Sequence, residues 1–160
     1  MTASLIHIPF TYRYWFERLP RGVRLHLPQL PEADFDAATP EAAQNALQDK
    51  ILEALEARLK TGELPEESVP RAGEGLWTLS PTFAAKALLI EEAQRAGVYP
   101  AELARRLCIS SQEAQRILKL RHASKFDTIA DAFRVIGLKL VISAEPMFPK
   151  RQQRSAVRID

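Results

Sequence analysis

A single cysteine, Cys108, stands among the 160 residues. No intrachain disulfide can form, and a reducing compartment is the simplest setting. No apolar run approaches the roughly 18–20 residues needed to span a bilayer. The N-terminus has neither the basic flank nor the apolar core of a secretory signal. The expected location is therefore the cytoplasm. There is no glycine-rich phosphate loop and no Cys/His spacing for zinc. His7 and His26 have no Ser, Cys or carboxylate placed to complete a catalytic set. Glu32, Asp34 and Asp36 crowd one loop, whereas carboxylates that hold a metal for phosphoryl transfer converge from separate elements. These absences point away from an enzyme and predict no catalytic residue, no metal and no cofactor. A binding role is expected instead.

What is present divides unevenly along the chain. The formal net charge is +2. Residues 1–79 carry 8 Lys/Arg against 12 Asp/Glu, residues 80–143 carry 10 against 6, and residues 144–160 carry 4 against 2. An acidic front and a basic back suggest two small domains with different partners. The hydrophobic fraction of 46% allows each a core of its own. A basic segment can face phosphate, and an acidic one a basic protein.

In the front half, Ile6, Ile8, Phe10, Tyr12, Tyr14 and Phe16 alternate with period 2, which predicts a half-buried strand. Pro9 favours an edge or a bulge near its start. Leu19-Pro20-Arg21-Gly22 signals a turn, and Val23, Leu25 and Leu27 predict a second strand ended by Pro28 and Pro31. Thr39, Pro40 and Glu41 open a helix as cap, first residue and dipole complement. Its apolar stripe is Ala43, Leu47, Ile51, Leu52, Leu55 and Leu59, and Thr61-Gly62 stops it. Residues 64–75 read as a loop, and 76–79 as a short third strand.

The back half reads as four helices. Ser80-Pro81 starts the first, which ends near Gly97, and Pro100 starts the second, with Leu103, Ala104 and Leu107 inward. The tight turn Cys108-Ile109-Ser110 follows. Ser110 and Glu113 form a capping-box pattern that sets the register of the third helix. Ala114, Ile117 and Leu118 then face inward, and Gln112, Gln115, Arg116 and Lys119 outward. Arg pairs bidentately with guanine, and Gln with adenine, in the major groove. Lys119 suits phosphate, and Arg105, Arg106, Arg121 and Lys125 add positive charge nearby. The same pattern also describes a helical bundle with an ordinary solvated face, so the residues alone leave both readings open. A fourth helix covers about 127–136 and ends at Gly137. Leu138, Leu140 and Ile142 alternate as a short last strand, which needs a partner from a second copy or else straps its own domain. Residues 144–160 read as a flexible basic tail.

Several of these stretches resemble known families. Glu102-Leu103-Ala104-Arg105-Arg106-Leu107, the turn and Gln112-Glu113-Ala114-Gln115-Arg116-Ile117-Leu118 resemble the Xre/Cro-type helix-turn-helix. The continuation from Leu120 to Asp127 and from Ala132 to Gly137 is similar to HicB antitoxins that carry such a domain. In the front half, Val23 to Pro31 followed by Thr39-Pro40-Glu41-Ala42-Ala43 is similar to the HicB N-terminal signature. Gln29 replaces the usual Asp of its Pro-Asp-Leu-Pro turn, and Glu32 the Gly that commonly follows.

The resemblance implies an α+β chain. Residues 1–79 would form a partial RNase H-like domain, with a small antiparallel sheet and one helix, that cleaves no RNA. Residues 80–143 would form an all-α helix-turn-helix domain with a short C-terminal strand. The implied partners are a HicA-type toxin (a small basic ribonuclease that degrades mRNA and uses a histidine), the operator DNA of the shared operon, and a second copy of the chain. Toxin contacts are assigned to Tyr12, Tyr14, Trp15, Arg24, His26, Glu32, Asp34 and Asp36. DNA contacts are assigned to Ser111, Gln112, Gln115, Arg116, Lys119, Arg121 and Lys125, and dimer contacts to Leu138, Leu140 and Ile142. The alternative is a stand-alone helix-turn-helix transcription regulator whose front domain senses a ligand or mediates oligomerisation.

Overall fold

A computed structural model describes residues 11–66, 69 and 71–142. The expected strand positions Ile6, Ile8 and Phe10, together with His7, Pro9 and the basic tail, lie outside the described residues. The alternation of the aromatic segment produces strand β1 (Thr11–Arg18). Gly22, at φ +93°, turns the chain back into β2 (Val23–His26), and a Cβ there would stand 2.2 Å from the carbonyl oxygen of Ala37. A 3-10 turn (Pro31–Ala33) leads to β3 (Phe35–Ala37), then helix α1 (Pro40–Thr61) and β4 (Gly75–Thr78). The strands form one antiparallel sheet in the order β3-β2-β1-β4. β3 corrects the expected three-strand sheet, in which 32–36 was a loop. Three residues are too few for periodicity to announce a strand. Pairing across β2 places Arg24 opposite Asp36, and Phe35 opposite Leu25.

α1 begins and ends where its caps predict. The Thr39 hydroxyl accepts from the Ala42 N–H at 3.2 Å, and Gly62, left-handed at φ +74°, donates to the Arg58 carbonyl. Ala43, Leu47, Ile51, Leu52, Leu55 and Leu59 are buried on one face of the sheet, against Tyr12 and Leu25 and the partly buried Tyr14, Phe16 and Phe35. Gly75 lies under the ring of Tyr14. A Cβ there would stand 2.3 Å from Tyr14 Cζ, so the close packing of β4 on β1 requires glycine.

Four helices follow: α2 (Pro81–Arg95), α3 (Pro100–Leu107), α4 (Ser111–Ile117) and α5 (Phe126–Val135). Their core gathers Leu89, Val98, Leu103, Ala114, Ile117, Ile129 and Phe133. Residues 138–142 form no strand in the single chain; Leu138 and Leu140 pack on this helical core, while Val141 and Ile142 are exposed. A strand needs a hydrogen-bonding neighbour, and 138–142 pairs with no strand among the described residues.

The core beneath the sheet does not stop at residue 79. It takes in Ala84, Ala87 and Ile90 from α2 and Leu120 from the segment after α4. α2 therefore lends one face to each core, and Leu88 and Leu118 pack against both. This common packing makes the sheet and the helices energetically dependent on one another. Leu120→Ala should cost about 2–5 kcal/mol and lower the melting of sheet and helices together in one transition. Two separate melting steps, with only one shifted, would contradict the shared core.

Candidate partner-binding and nucleic-acid surfaces

One face of the sheet is covered by α1; the other, the open face, carries exposed side chains among the described residues, with the Arg13–Glu74 ion pair largely buried on it. Alternation places Trp15 and Glu17 of β1 on the open face, with Arg24 and His26 of β2 and Asp36 of β3. Trp15 is 39% exposed and stacks on the His26 ring, with centroids 5.0 Å apart. His26 Nε2 lies 2.7 Å from Glu17 Oε2, and its Nδ1 lies 2.8 Å from Asp34 Oδ2. Asp34 is fixed in turn by the Leu27 N–H, which donates to its other oxygen at 2.7 Å. Arg24 donates twice to Asp36, at 2.6 and 3.0 Å. Leu76 of β4, 49% exposed, extends the apolar part of this face. The result is an aromatic centre flanked by ordered charges.

Five of the residues assigned to partner contact, Trp15, Arg24, His26, Asp34 and Asp36, therefore converge. Three do not. Tyr12 is 0% exposed and points into the α1 core, with burial raising its phenol pKa. It has no surface to offer a partner. Tyr14 lies on the same inner side, edge-on to Phe16. Glu32 accepts two bonds from Arg58, at 2.5 and 2.9 Å, which hold its carboxyl below the usual range and tie the 3-10 turn to the end of α1. The other departure from the family signature has a local role too. The Gln29 side chain accepts from the Arg13 N–H and donates to the Thr11 carbonyl, occupying the edge of β1 beyond the end of β2. Glu32, Asp34 and Asp36 thus face three different basic side chains, Arg58, His26 and Arg24. Among the described residues, no group of three or more His, Cys, Asp or Glu is arranged to hold a metal.

The second surface is built on α3 and α4. Cys108 takes the left-handed conformation, φ +56°, and turns the chain between them. The Ser110 hydroxyl accepts from the Glu113 N–H at 3.1 Å, which sets the register of α4 as its sequence predicts. Ala114 and Ile117 are buried, and Ser111, Gln112, Gln115, Arg116 and Lys119 are exposed. Arg121 and Lys125 are exposed in the following loop. A recess between α4 and that loop is lined by Gln112, Glu113, Arg116, His122, Ser124 and Lys125. Arg105 and Arg106 do not join this surface as free cations. Both donate to Glu102, whose carboxyl is held down to about 2, and Arg106 also reaches the Val135 carbonyl.

Sequence patterning misses Lys86. It sits on α2 among apolar residues, 1% exposed, and its ammonium donates to the carbonyl oxygens of Arg116, Lys119 and His122. Burial pushes its pKa down to about 8, opposed by Glu56; three carbonyl acceptors match the ammonium, because a neutral amine has only two hydrogens to donate. The only sequence signal was a lysine on the inward face of an otherwise alanine- and leucine-rich helix.

His26 has carboxylate oxygens at both ring nitrogens, an arrangement fully satisfied only by the imidazolium. The bond to Glu17 raises its pKa above 6.5, with burial opposing and Asp34 adding to the rise. Its stabilising contribution is complete below about 6.5 and is lost as pH rises through the raised folded value. NMR titration of the His26 ring should show protonation persisting above the ordinary histidine range, with the Trp15 signals moving in step. Titration at or below about 6.5 would contradict the paired geometry.

No family model matches the chain. Curated proteins do. The chain is 34% identical over 134 residues to Antitoxin HicB 2 of Photorhabdus laumondii subsp. laumondii, an alignment spanning 83% of this chain and 95% of that protein. It is 29% identical over 124 residues to Antitoxin HicB 1 of the same organism, spanning 78% and 79%. It is 28% identical over 120 residues to Antitoxin HicB of Escherichia coli strain K12, spanning 74% and 87%. The extent of these matches over both the sheet and the helices places the chain in one group: it belongs to the HicB antitoxin family.

Proposed function

We propose that this protein is the antitoxin of a type II toxin–antitoxin pair that binds a HicA-type mRNA-degrading toxin with its open sheet face and represses its own operon with α4. Family membership supports the antitoxin role. The open face supports the protein contact. It offers a stacked Trp15–His26 pair as an anchor, and Glu17, Asp34 and Asp36, although paired, are three carboxylates against two basic side chains, which leaves an acidic excess for a basic partner. The acidic balance of residues 1–79 acts in the same direction at longer range.

The observation that carries the DNA reading is the state of the cations around α4. Arg24, Arg58, Arg95, Arg105, Arg106 and Arg134 are all in ion pairs. Arg18, Arg21, Lys60, Arg71 and Lys139 are likewise exposed without an ion-pair partner among the described residues, but Arg116, Lys119, Arg121 and Lys125 bring four such cations together on one short helix and the loop that follows it. A face left charged without internal partners suits a polyanion. Gln112, Gln115 and Arg116 are the base-reading candidates, and Lys119, Arg121 and Lys125 the phosphate contacts. Ser111, at the start of α4, is a further phosphate contact. A homodimer would place two such helices on half-sites about one helical turn apart. Residues 138–142 are its proposed seam, with Leu138 and Leu140 anchoring the segment on its own helices and Ile142 facing outward beside Val141.

Co-purification with the product of the adjacent gene, followed by RNA cleavage with and without this protein, tests the antitoxin role. Complex formation and suppression of cleavage are expected. A partner that neither binds nor cleaves RNA would favour a stand-alone regulator. Arg116→Ala should weaken binding to the upstream DNA by about 1–3 kcal/mol and relax preference at one base. Lys119→Ala should weaken all sequences alike and reduce the salt slope by about one unit. Unchanged affinity in the first variant would remove α4 from the reading role.

A further inference from the structure

α4 is only seven residues long, Ser111–Ile117. A helix so short does not persist on its own, and tertiary ties must set its orientation. Its N-terminal end is closed by Ser110. Its C-terminal end lacks the device used by α1. Where α1 stops on the left-handed Gly62, α4 runs out through Leu118 at φ −88°, with no glycine and no left-handed residue. The final carbonyls of a helix have no regular partners within it; those of Arg116 and Lys119 accept from the Lys119 and His122 N–H groups, each at 3.2 Å, and also turn towards α2. There they meet the buried ammonium of Lys86, and all three of its N–H bonds are used, on Arg116, Lys119 and His122.

Two of the gripped residues are the ones whose side chains point outward. Arg116 and Lys119 expose their cationic heads while their backbone carbonyls are held from behind by one atom. His122, the third, lines the recess beside Arg116 and Lys125. Leu120, between them, is fully buried in the core beneath the sheet. The ammonium and Leu120 thus fix the path of the chain from the last turn of α4 into the loop that carries Arg121 and Lys125.

We infer that Lys86 is the positioning residue of the DNA-reading helix: it adds to the backbone bonds that close the C-terminal end of α4 and sets Arg116, Lys119, Arg121 and Lys125 in one fixed relation to the operator. This rests on the DNA-binding reading of α4 and adds to it a residue that touches no DNA. The ammonium is suited to the task because three donors on one tetrahedral atom can gather three converging carbonyls, which a planar guanidinium fork cannot do. The charge also complements the negative end of the helix dipole.

The test uses the full-length protein and two labelled duplexes, the DNA upstream of its own gene and an unrelated sequence of equal length. Wild type must first prefer the upstream duplex; if it does not, the DNA-binding reading itself fails. In Lys86→Met the stem stays and the donors go. The expected result is a folded protein by circular dichroism that still co-purifies with its partner. Its ratio of specific to non-specific affinity should fall about tenfold or more, the scale of one lost bidentate base contact. Simple loss of folded protein lowers both affinities together and leaves the ratio unchanged, so the ratio separates positioning from stability. Should Lys86→Met not fold, Lys86→Arg serves as the second variant, with the charge kept and the three-way grip broken. It is expected to fold and to show the same loss of ratio. A folded Lys86→Met or Lys86→Arg protein with the wild-type ratio overturns the inference, as does failure of both variants to fold, which would make the residue purely structural.

Discussion

The sharing of helix α2 between two cores is the constraint on which the rest of the structure depends. One side of α2 closes the apolar space beneath the sheet through Ala84, Ala87 and Ile90, and another supports the helical core through Ala85, Leu89 and Ala93. Small residues permit both contacts. The chain that leaves α4 reinforces the arrangement by sending Leu120 back under the sheet. A buried charge completes it: Lys86 is tolerated in that apolar setting because three carbonyls accept its hydrogens. The surface proposed to read DNA is therefore built partly on the domain proposed to hold the toxin.

The sheet face works by a different division of labour. Period-2 alternation sends Tyr12, Tyr14 and Phe16 into the α1 core and Trp15 and Glu17 to the open side. The same segment thus supplies both the core and the anchor of the partner surface. The carboxylates around it are not a loose acidic patch. Each is held by a particular basic side chain or backbone N–H, so the charges are ordered in advance of binding.

Much of this was legible in the chain itself. Caps and periodicity placed α1, the turn after α3 and the outward face of α4, because these depend on interactions within a few residues. Strand β3 was not legible, since three residues carry no period, and its existence depends on pairing with β2. Residue type groups Tyr12 with Trp15, but the pleat sends them to opposite faces, Tyr12 buried and Trp15 exposed. Arg105 and Arg106 add positive charge near α4 in the sequence, whereas in the fold Glu102, within about one turn of both, engages them. That pairing was visible at i, i+3 and i, i+4 spacing.

The sequence alone determined the local structure: where helices start and stop, which side of α4 faces water, and the order of a sheet-and-helix half before a helical half. Those features follow from capping groups, apolar periods and turn residues that act over short distances. Tertiary structure alone decided that Lys86 would grip the end of α4, that Leu120 would cross into the core beneath the sheet, and that Gln29 and Glu32 would latch β1 and α1. These contacts join residues far apart in the chain, and no local pattern encodes them.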